Sequence, residues 1–226
     1  MLKYSTPLKL AAALLMTFLY TCAQPVTALL SAANGSSAIE KPVVFNKYSW
    51  RTCGDIPVVL GAANLDASKV SLVRESLDTI NELTGLSFTI VGRTDEIPLL
   101  NWPHSQTRSG KYPYPPVYIG WLTPSDTSIL DKDALGATIA NPATVKGVKR
   151  IVTGAVVFNE NMYDSVSNKE DSGETRRNLI LHELAHLAGL EHSDGNSLMN
   201  PESVHWTNGF TMQEENALKS FPLDCK

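Results

Sequence analysis

Hydrophobic residues recur at steps of three and four along residues 66–84, the spacing that places side chains on one face of a helix. Asp66 or Ser68 can cap the start of this helix, and Gly85 can end it. The sequence therefore predicts an amphipathic helix that packs one side against a core. The residues on its apolar face are Val70, Val73, Leu77, Ile80 and Thr84.

Short apolar runs predict five strands. Those at residues 56–60 and 86–91 flank the helix, so this part of the chain predicts two parallel strands joined by a right-handed crossover. Three further strands are predicted at about 117–122, 135–140 and 151–158.

Two more helices are predicted in the last third of the chain. One begins near Ser172, after a polar loop at residues 160–173, and runs to about Ala188. The other opens with a capping box at residues 211–214 and stops at Pro222. The predicted fold class is α/β with mixed α+β character: a twisted, mostly parallel five-stranded sheet, two long helices, and a small C-terminal subdomain with one helix.

The N-terminus has the pattern of a secretory signal peptide. Lys3 and Lys9 precede an apolar run at residues 10–19, which is too short to span a bilayer comfortably. Cleavage is expected after Ala23 or Ala28, which makes residues 1–28 the signal peptide and the protein secreted. An uncleaved membrane anchor and a lipidated Cys22 are the alternatives.

Residues 29–43 are small and polar and predict a linker, and residues 44–226 are long enough for one domain. The formal net charge of −4 and the lack of a basic run argue against nucleic acid and against a stable membrane contact after cleavage. We expect a monomer. Loss of the leader leaves Cys53 and Cys225, an even pair that predicts a disulfide in an exported protein.

The segment from His182 to His192 predicts a catalytic zinc site. His182 and His186 are four residues apart, so on a helix both imidazoles lie about 40° apart around the axis and can reach one metal ion. Gly189 can adopt a positive φ, end the helix and turn the chain so that His192 supplies the third nitrogen. Three protein ligands leave a fourth position open, which is typical of catalytic zinc.

Glu183 follows the first histidine and has no ligand role in this scheme, which favours catalysis over a site that only binds metal. The prediction is a metalloendopeptidase that hydrolyses protein or peptide substrates with a zinc-activated water, with Glu183 as general base and one Zn²⁺ per chain. Two alternatives remain: a zinc hydrolase of a cell-wall peptide amide, and an inactive zinc-binding scaffold.

The pattern His-Glu-x-x-His-x-x-Gly-x-x-His followed by a methionine turn resembles the metzincin clan of zinc peptidases. Residues 197–201 supply the turn, with Met199 implied beneath the zinc, and Ser193 resembles the matrixin family within the clan. The resemblance implies an upper subdomain at about 44–190, a lower one at about 191–226, and a substrate lying between them along a sheet edge. Residues 154–158 are our candidate for that edge.

The sequence also departs from the matrixin pattern. Animal matrixins carry several upstream histidines for a second zinc, whereas only His104 stands in that region, so no second zinc is expected. Recognisable calcium loops are missing, and residues 201–203 (PES) lack the family's Pro-x-Tyr, so subsite preference does not carry over. Residues 51–54 (RTCG) resemble the family's cysteine switch poorly.

Overall fold

The computed structural model describes residues 48–50, 54–98, 112–166 and 175–220. The elements in chain order are β1 (Ile56–Gly61), α1 (Ala67–Thr84), β2 (Phe88–Thr94), β3 (Val117–Leu122), β4 (Gly136–Val145), β5 (Val148–Asn159), α2 (Glu160–Tyr163), α3 (Arg176–Ala188), a 3-10 turn (Ser203–His205) and α4 (Met212–Lys219).

The five strands form one sheet in the order β2-β1-β3-β5-β4. Strands β2, β1, β3 and β5 run parallel to one another, and β4 pairs antiparallel with β5. The predicted fold class is therefore confirmed: a mixed α/β chain with a mostly parallel five-stranded sheet and two long helices. The crossover through α1 joins β1 to β2, which pair directly, as the strand–helix–strand order predicts.

Helix α1 forms where its capping residues and apolar spacing predict. The Asp66 side chain accepts a hydrogen bond from the Lys69 amide at 2.8 Å, and Gly85 ends the helix with a φ of +72°. Val73, Leu77 and Ile80 are buried, so this face packs into the main core together with α3. A smaller apolar cluster includes Tyr118 and Leu122 of β3 and Val157 of β5.

The edge strand next to α3 is β4, and the prediction that residues 154–158 form an exposed edge is wrong. Those residues lie in β5, where Ala155 pairs with Tyr118 of β3 on one side and with Ile139 of β4 on the other. Strands β4 and β5 are longer than predicted because Lys146 and Gly147 form a two-residue hairpin turn, with φ values of +49° and +82°. Positive φ at both turn positions matches the right-handed twist of the flanking strands.

Two further boundaries differ from the sequence prediction. The segment after β5 was expected to be a loop, but Glu160–Tyr163 form a short helix with Asn159 as its cap. Helix α3 begins at Arg176, after Thr175, whose side chain accepts from the Asn178 amide at 3.1 Å.

Several predictions lie outside the described residues and stay predictions. They concern the signal peptide (1–28), the linker (29–43), His104, and the Cys53–Cys225 disulfide with its cysteine-switch alternative. Within the described ranges, no helix combines the length and the apolar character needed to cross a bilayer.

Candidate metal centre

Helix α3 carries three of the predicted site residues. His182 and Glu183 are buried and His186 is half-buried, although glutamate is almost never fully buried unless it is paired. Because i and i+4 lie on the same side of a helix, His182 and His186 come together, with ring centroids 4.7 Å apart.

Gly189 ends α3 as predicted, with a φ of +122°. Its amide bonds back to the carbonyls of Ala185 at 2.9 Å and His186 at 3.0 Å, which closes the last turn. The chain then brings His192 to the two helical histidines, with ring centroids 5.4 Å from His182 and 4.5 Å from His186. The ligand nitrogens of the three residues all lie within 4.8 Å of one another, and no other such group occurs in the described part of the chain.

The two helical imidazoles are held by backbone carbonyls. His182 Nδ1 lies 2.6 Å from the carbonyl oxygen of Leu198, and His186 Nδ1 lies 2.7 Å from that of Leu190. A carbonyl oxygen only accepts, so in both rings Nδ1 carries the hydrogen and donates. Each neutral ring then presents the lone pair of Nε2, the usual arrangement for a metal-ligating histidine.

Burial keeps these rings neutral in the absence of a cation. It lowers the pKa of His182 to about 3, helped by the neighbouring His186, and lowers the pKa of His186 to about 4. The pKa of His192 is lowered for the same reason. Near neutral pH the histidines are therefore unprotonated and able to bind a metal.

Zinc fits this arrangement. The Nε2 atoms of His182 and His186 are 3.1 Å apart, and since both are acceptors, neither can satisfy the other. A shared cation resolves this conflict: tetrahedral zinc with Zn–N bonds of about 2.0–2.1 Å spaces two ligand nitrogens by roughly 3.3 Å. A set of three imidazole nitrogens is also typical of catalytic zinc. His192 is exposed, so solvent reaches the site at this residue.

Glu183 is directed toward strand β4. Its Oε2 lies 2.7 Å from Thr138 Oγ1, and that hydroxyl is also 3.0 Å from the backbone oxygen of Glu183. Gly136 packs against the same carboxylate so closely that a Cβ there would lie 2.8 Å from Oε1. Burial raises the pKa of Glu183 to about 7, and the Thr138 hydrogen bond opposes that rise.

The methionine turn contacts the first histidine, while the position of Met199 beneath a zinc ion stays a prediction. Met199 is fully buried, and Asn200 N donates to Ser197 O at 3.1 Å to close the turn. The Leu198 carbonyl in this turn is the one that holds His182. The Trp206 ring lies against His182, with centroids 5.1 Å apart, and its Nε1 donates to Asn200 O at 2.8 Å.

Sequence reasoning missed four residues around the site. Thr138 and Gly136 were expected only as strand residues, because nothing in the sequence indicates which strand residues face α3. Trp206 carried no signal. Glu214 was recognisable as part of a capping box, but its contact with the methionine turn was not predictable.

No protein-family model matches the chain, and no curated protein matches it by sequence. Among solved structures, the chain is similar to high choriolytic enzyme 1 (HCE-1), a hatching enzyme zinc-protease from Oryzias latipes, the medaka fish. That match has 12% identity, covers 75% of this chain and 92% of that chain, and has a TM-score of 0.39. So low a similarity does not bear on function, and assignment to the matrixins stays a prediction.

Proposed function

We propose that this protein is a zinc-dependent metalloendopeptidase with Glu183 as its general base. The observation that carries the proposal is the convergence of three histidine nitrogens beside a buried carboxylate that has no ligand role. Backbone carbonyls accept from Nδ1 of His182 and His186, which leaves Nε2 of both rings available to a metal. A structural zinc site would usually close the fourth position with another protein ligand, and among the described residues no fourth His, Cys, Asp or Glu joins the cluster.

His182, His186 and His192 would hold the ion, which when bound supplies a Lewis acid and a water of lowered pKa. Glu183 would accept the proton of that water and then deliver it to the leaving amine. In the metal-free chain, burial beside Thr138 already raises the pKa of its carboxyl, so the pocket does not force Glu183 to stay ionised and both a proton-free and a protonated form are accessible to it.

Strand β4 supports a peptide as the substrate. It is the edge strand beside α3, so within the described sheet its outer backbone groups have no strand partner. Thr138 and Gly136 of this strand contact Glu183, so an extended peptide added to β4 would pass beside the proposed base. Strand addition of this kind binds extended peptides through main-chain hydrogen bonds.

The experiment compares the zinc-loaded protein with its Glu183→Gln variant on a peptide library and on cell-wall peptides, with zinc measured in each sample. The variant should keep its zinc and lose at least about 100-fold in rate, the usual scale for a general base. Glu75→Gln, an exposed carboxylate on α1, is the matched control and should behave like wild type. Glu183→Asp should keep part of the activity, since the carboxylate remains.

Three results would change this assignment. If the protein hydrolyses cell-wall peptides alone, its substrate class is cell-wall peptide amides and not proteins. If it binds zinc without hydrolysing any substrate, it is the inactive zinc-binding scaffold of the second alternative. A Glu183→Gln variant that cleaves at the wild-type rate with zinc bound would rule out Glu183 as the base.

We also propose that the protein is exported and cleaved after Ala23 or Ala28. N-terminal sequencing of the mature protein from the medium of an expressing culture distinguishes the two sites. Recovery of an uncleaved, membrane-bound chain would contradict the proposal.

A further inference from the structure

The carboxylate of Glu214 is buried and accepts hydrogen bonds at both oxygens. The residue is 1% exposed, although it lies in the first turn of the short surface helix α4. Oε2 accepts from the Thr211 amide at 2.7 Å and from the Thr211 hydroxyl at 2.8 Å, which is the helix-capping contact. Oε1 has a different set of partners: the amide of Met199 at 2.8 Å and the hydroxyl of Ser197 at 2.7 Å. Capping accounts for only one of the two oxygens.

The Oε1 contact leads to the metal centre through a single peptide group. The Met199 N–H and the Leu198 carbonyl belong to the same peptide unit, and that carbonyl accepts from His182 Nδ1 at 2.6 Å. The order of groups is therefore carboxylate, peptide N–H, peptide C=O, imidazole. Hydrogen bonds to an ionised group are shorter and stronger than neutral ones, and a bond at one end of a peptide unit polarises the other. Glu214 thus makes the Leu198 carbonyl a stronger hydrogen-bond acceptor for His182 Nδ1.

The same loop also fixes the residue that follows the third histidine. The Ser193 amide donates to the Met199 carbonyl at 3.0 Å, and the Ser193 and Ser197 hydroxyls are 2.5 Å apart. Ser193 directly follows His192, so a change in the position of the methionine turn would move two of the three ligands. His186 differs, because its acceptor, Leu190 O, lies in the turn that ends its own helix.

We propose that Glu214 is a positioning residue for the metal centre, which sets zinc affinity by holding the peptide unit that orients His182. This inference rests on the zinc site of the proposed function. Replacement of a group that hydrogen-bonds to a metal ligand and orients it typically lowers metal affinity by about 10–100-fold. Glu214 differs from the usual carboxylate–histidine pair because a peptide unit lies between its carboxylate and the imidazole.

The test measures zinc affinity of the purified full-length protein by competition with a chromogenic chelator, below the melting temperature of the metal-free chain. Glu214→Gln should weaken zinc binding by about 10–100-fold, because an amide cannot accept from all four donors. Zn²⁺ replacement by Co²⁺ gives a second readout, since the visible absorption of Co²⁺ reports ligand geometry and should shift in the variant.

Two controls separate positioning from helix capping. Thr211→Ala removes the capping hydroxyl and leaves both Oε1 contacts, so it should lower the melting temperature while zinc affinity stays at the wild-type value. Glu215→Gln removes the same charge from the same helix turn, where Glu215 pairs with Lys219 at 2.8 Å on the surface, and should change neither quantity.

If Glu214→Gln does not fold, Ser197→Ala takes its place. It removes one Oε1 partner, a hydrogen bond to Ser193 and the second acceptor of the Met199 amide, Ser197 Oγ at 3.0 Å, while keeping the carboxylate, and zinc affinity should fall several-fold. Wild-type affinity in Glu214→Gln, or in Ser197→Ala when the first does not fold, overturns the inference. An equal loss of zinc affinity in Thr211→Ala and Glu214→Gln also overturns the inference. If the wild-type chain itself binds no zinc, the proposed function fails instead.

Discussion

Thr138 Oγ1 of strand β4 lies 2.7 Å from Glu183 Oε2, so the edge strand of the sheet holds the proposed base on helix α3. A hydroxyl both donates and accepts. It can donate to the ionised carboxylate, and when Glu183 is protonated it can accept from the carboxyl and turn its own hydrogen to the backbone oxygen of Glu183, 3.0 Å away. Both protonation states of the base therefore find a partner in the same residue.

Replacement of Thr138 by valine tests this contact, because valine has nearly the same shape and lacks the hydroxyl. We expect kcat to fall roughly 10–100-fold, the range for a lost hydrogen bond to a charged group, with KM and zinc content unchanged. Thr138→Ser keeps the hydroxyl and should restore most of kcat. Steady-state kinetics on one peptide substrate checks both variants, and a wild-type kcat in Thr138→Val would show that Glu183 is held by other contacts.

Gly136 leaves the space that the Glu183 side chain occupies. A Cβ at this position would lie 2.8 Å from Oε1 and 3.0 Å from Cγ of Glu183, so Gly136→Ala must displace the base. We expect a loss of kcat of roughly 10-fold or more, since misplacement of a catalytic group by about 1 Å costs up to 100-fold. Zinc content should not change.

Gly92→Ala is the control for that substitution, because it also introduces a methyl group into a strand, and a Cβ at Gly92 meets no atom within 4 Å. It should leave kcat at the wild-type value. Equal activity of the two alanine variants would mean that the base moves aside without loss of function.

The sequence predicted the three longer helices and the convergence of the three histidines because local patterns determine them. The helix at residues 66–84 follows from apolar spacing and a cap, and the turn at Gly189 follows from the need to bring His192 back. The position of β4 at the sheet edge could not be predicted in this way. Strand order depends on long-range pairing, and the apolar run at residues 154–158 fits a central strand and an edge strand equally well.

Contacts between distant parts of the chain were missed for the same reason. Thr138 and Glu183 are 45 residues apart, and Glu214 and Met199 are 15 apart, so no periodic pattern connects them. The capping box gave the correct helix start at Thr211 but accounted for only one oxygen of Glu214. Bifunctional residues of this kind show only one of their roles in the local sequence.

The three histidines should bind one zinc ion together. Alanine at His182, His186 or His192 leaves two ligands, so each variant should lose the metal as well as activity. His205→Ala is the control, since that side chain is half exposed, lies 3.5 Å from Glu202 and is outside the cluster. Elemental analysis should give about one zinc per wild-type chain. Two zinc ions per chain, or active protein without zinc, would contradict the site.

Tyr163 provides a test of the fold that does not depend on the metal. Its ring is buried against Trp121, with centroids 5.5 Å apart, and its hydroxyl has no hydrogen-bond partner among the described residues. Burial raises its pKa to about 12 from 10.0; Asp66, Asp164 and Glu160 add to this rise, while Arg176 opposes it. The folded protein therefore keeps this proton at pH values where the unfolded chain releases it.

A pKa raised in the folded state contributes stability that is complete below the unfolded value and is lost as pH rises toward the folded value. For Tyr163 the loss falls between about pH 10 and pH 12 and reaches at most roughly 3 kcal/mol. Tyr163→Phe has no ionisable group, so its free energy of unfolding should decline less than that of wild type across this window. Tyr118, whose burial also raises its pKa to about 12, keeps its own contribution in both proteins.

Urea unfolding at about pH 9 and about pH 11.5 gives the comparison. At the lower pH the phenylalanine variant should be at least as stable as wild type, because it lacks a buried hydroxyl without a partner. Parallel declines in the two proteins would show that Tyr163 ionises as readily in the folded chain as in the unfolded one.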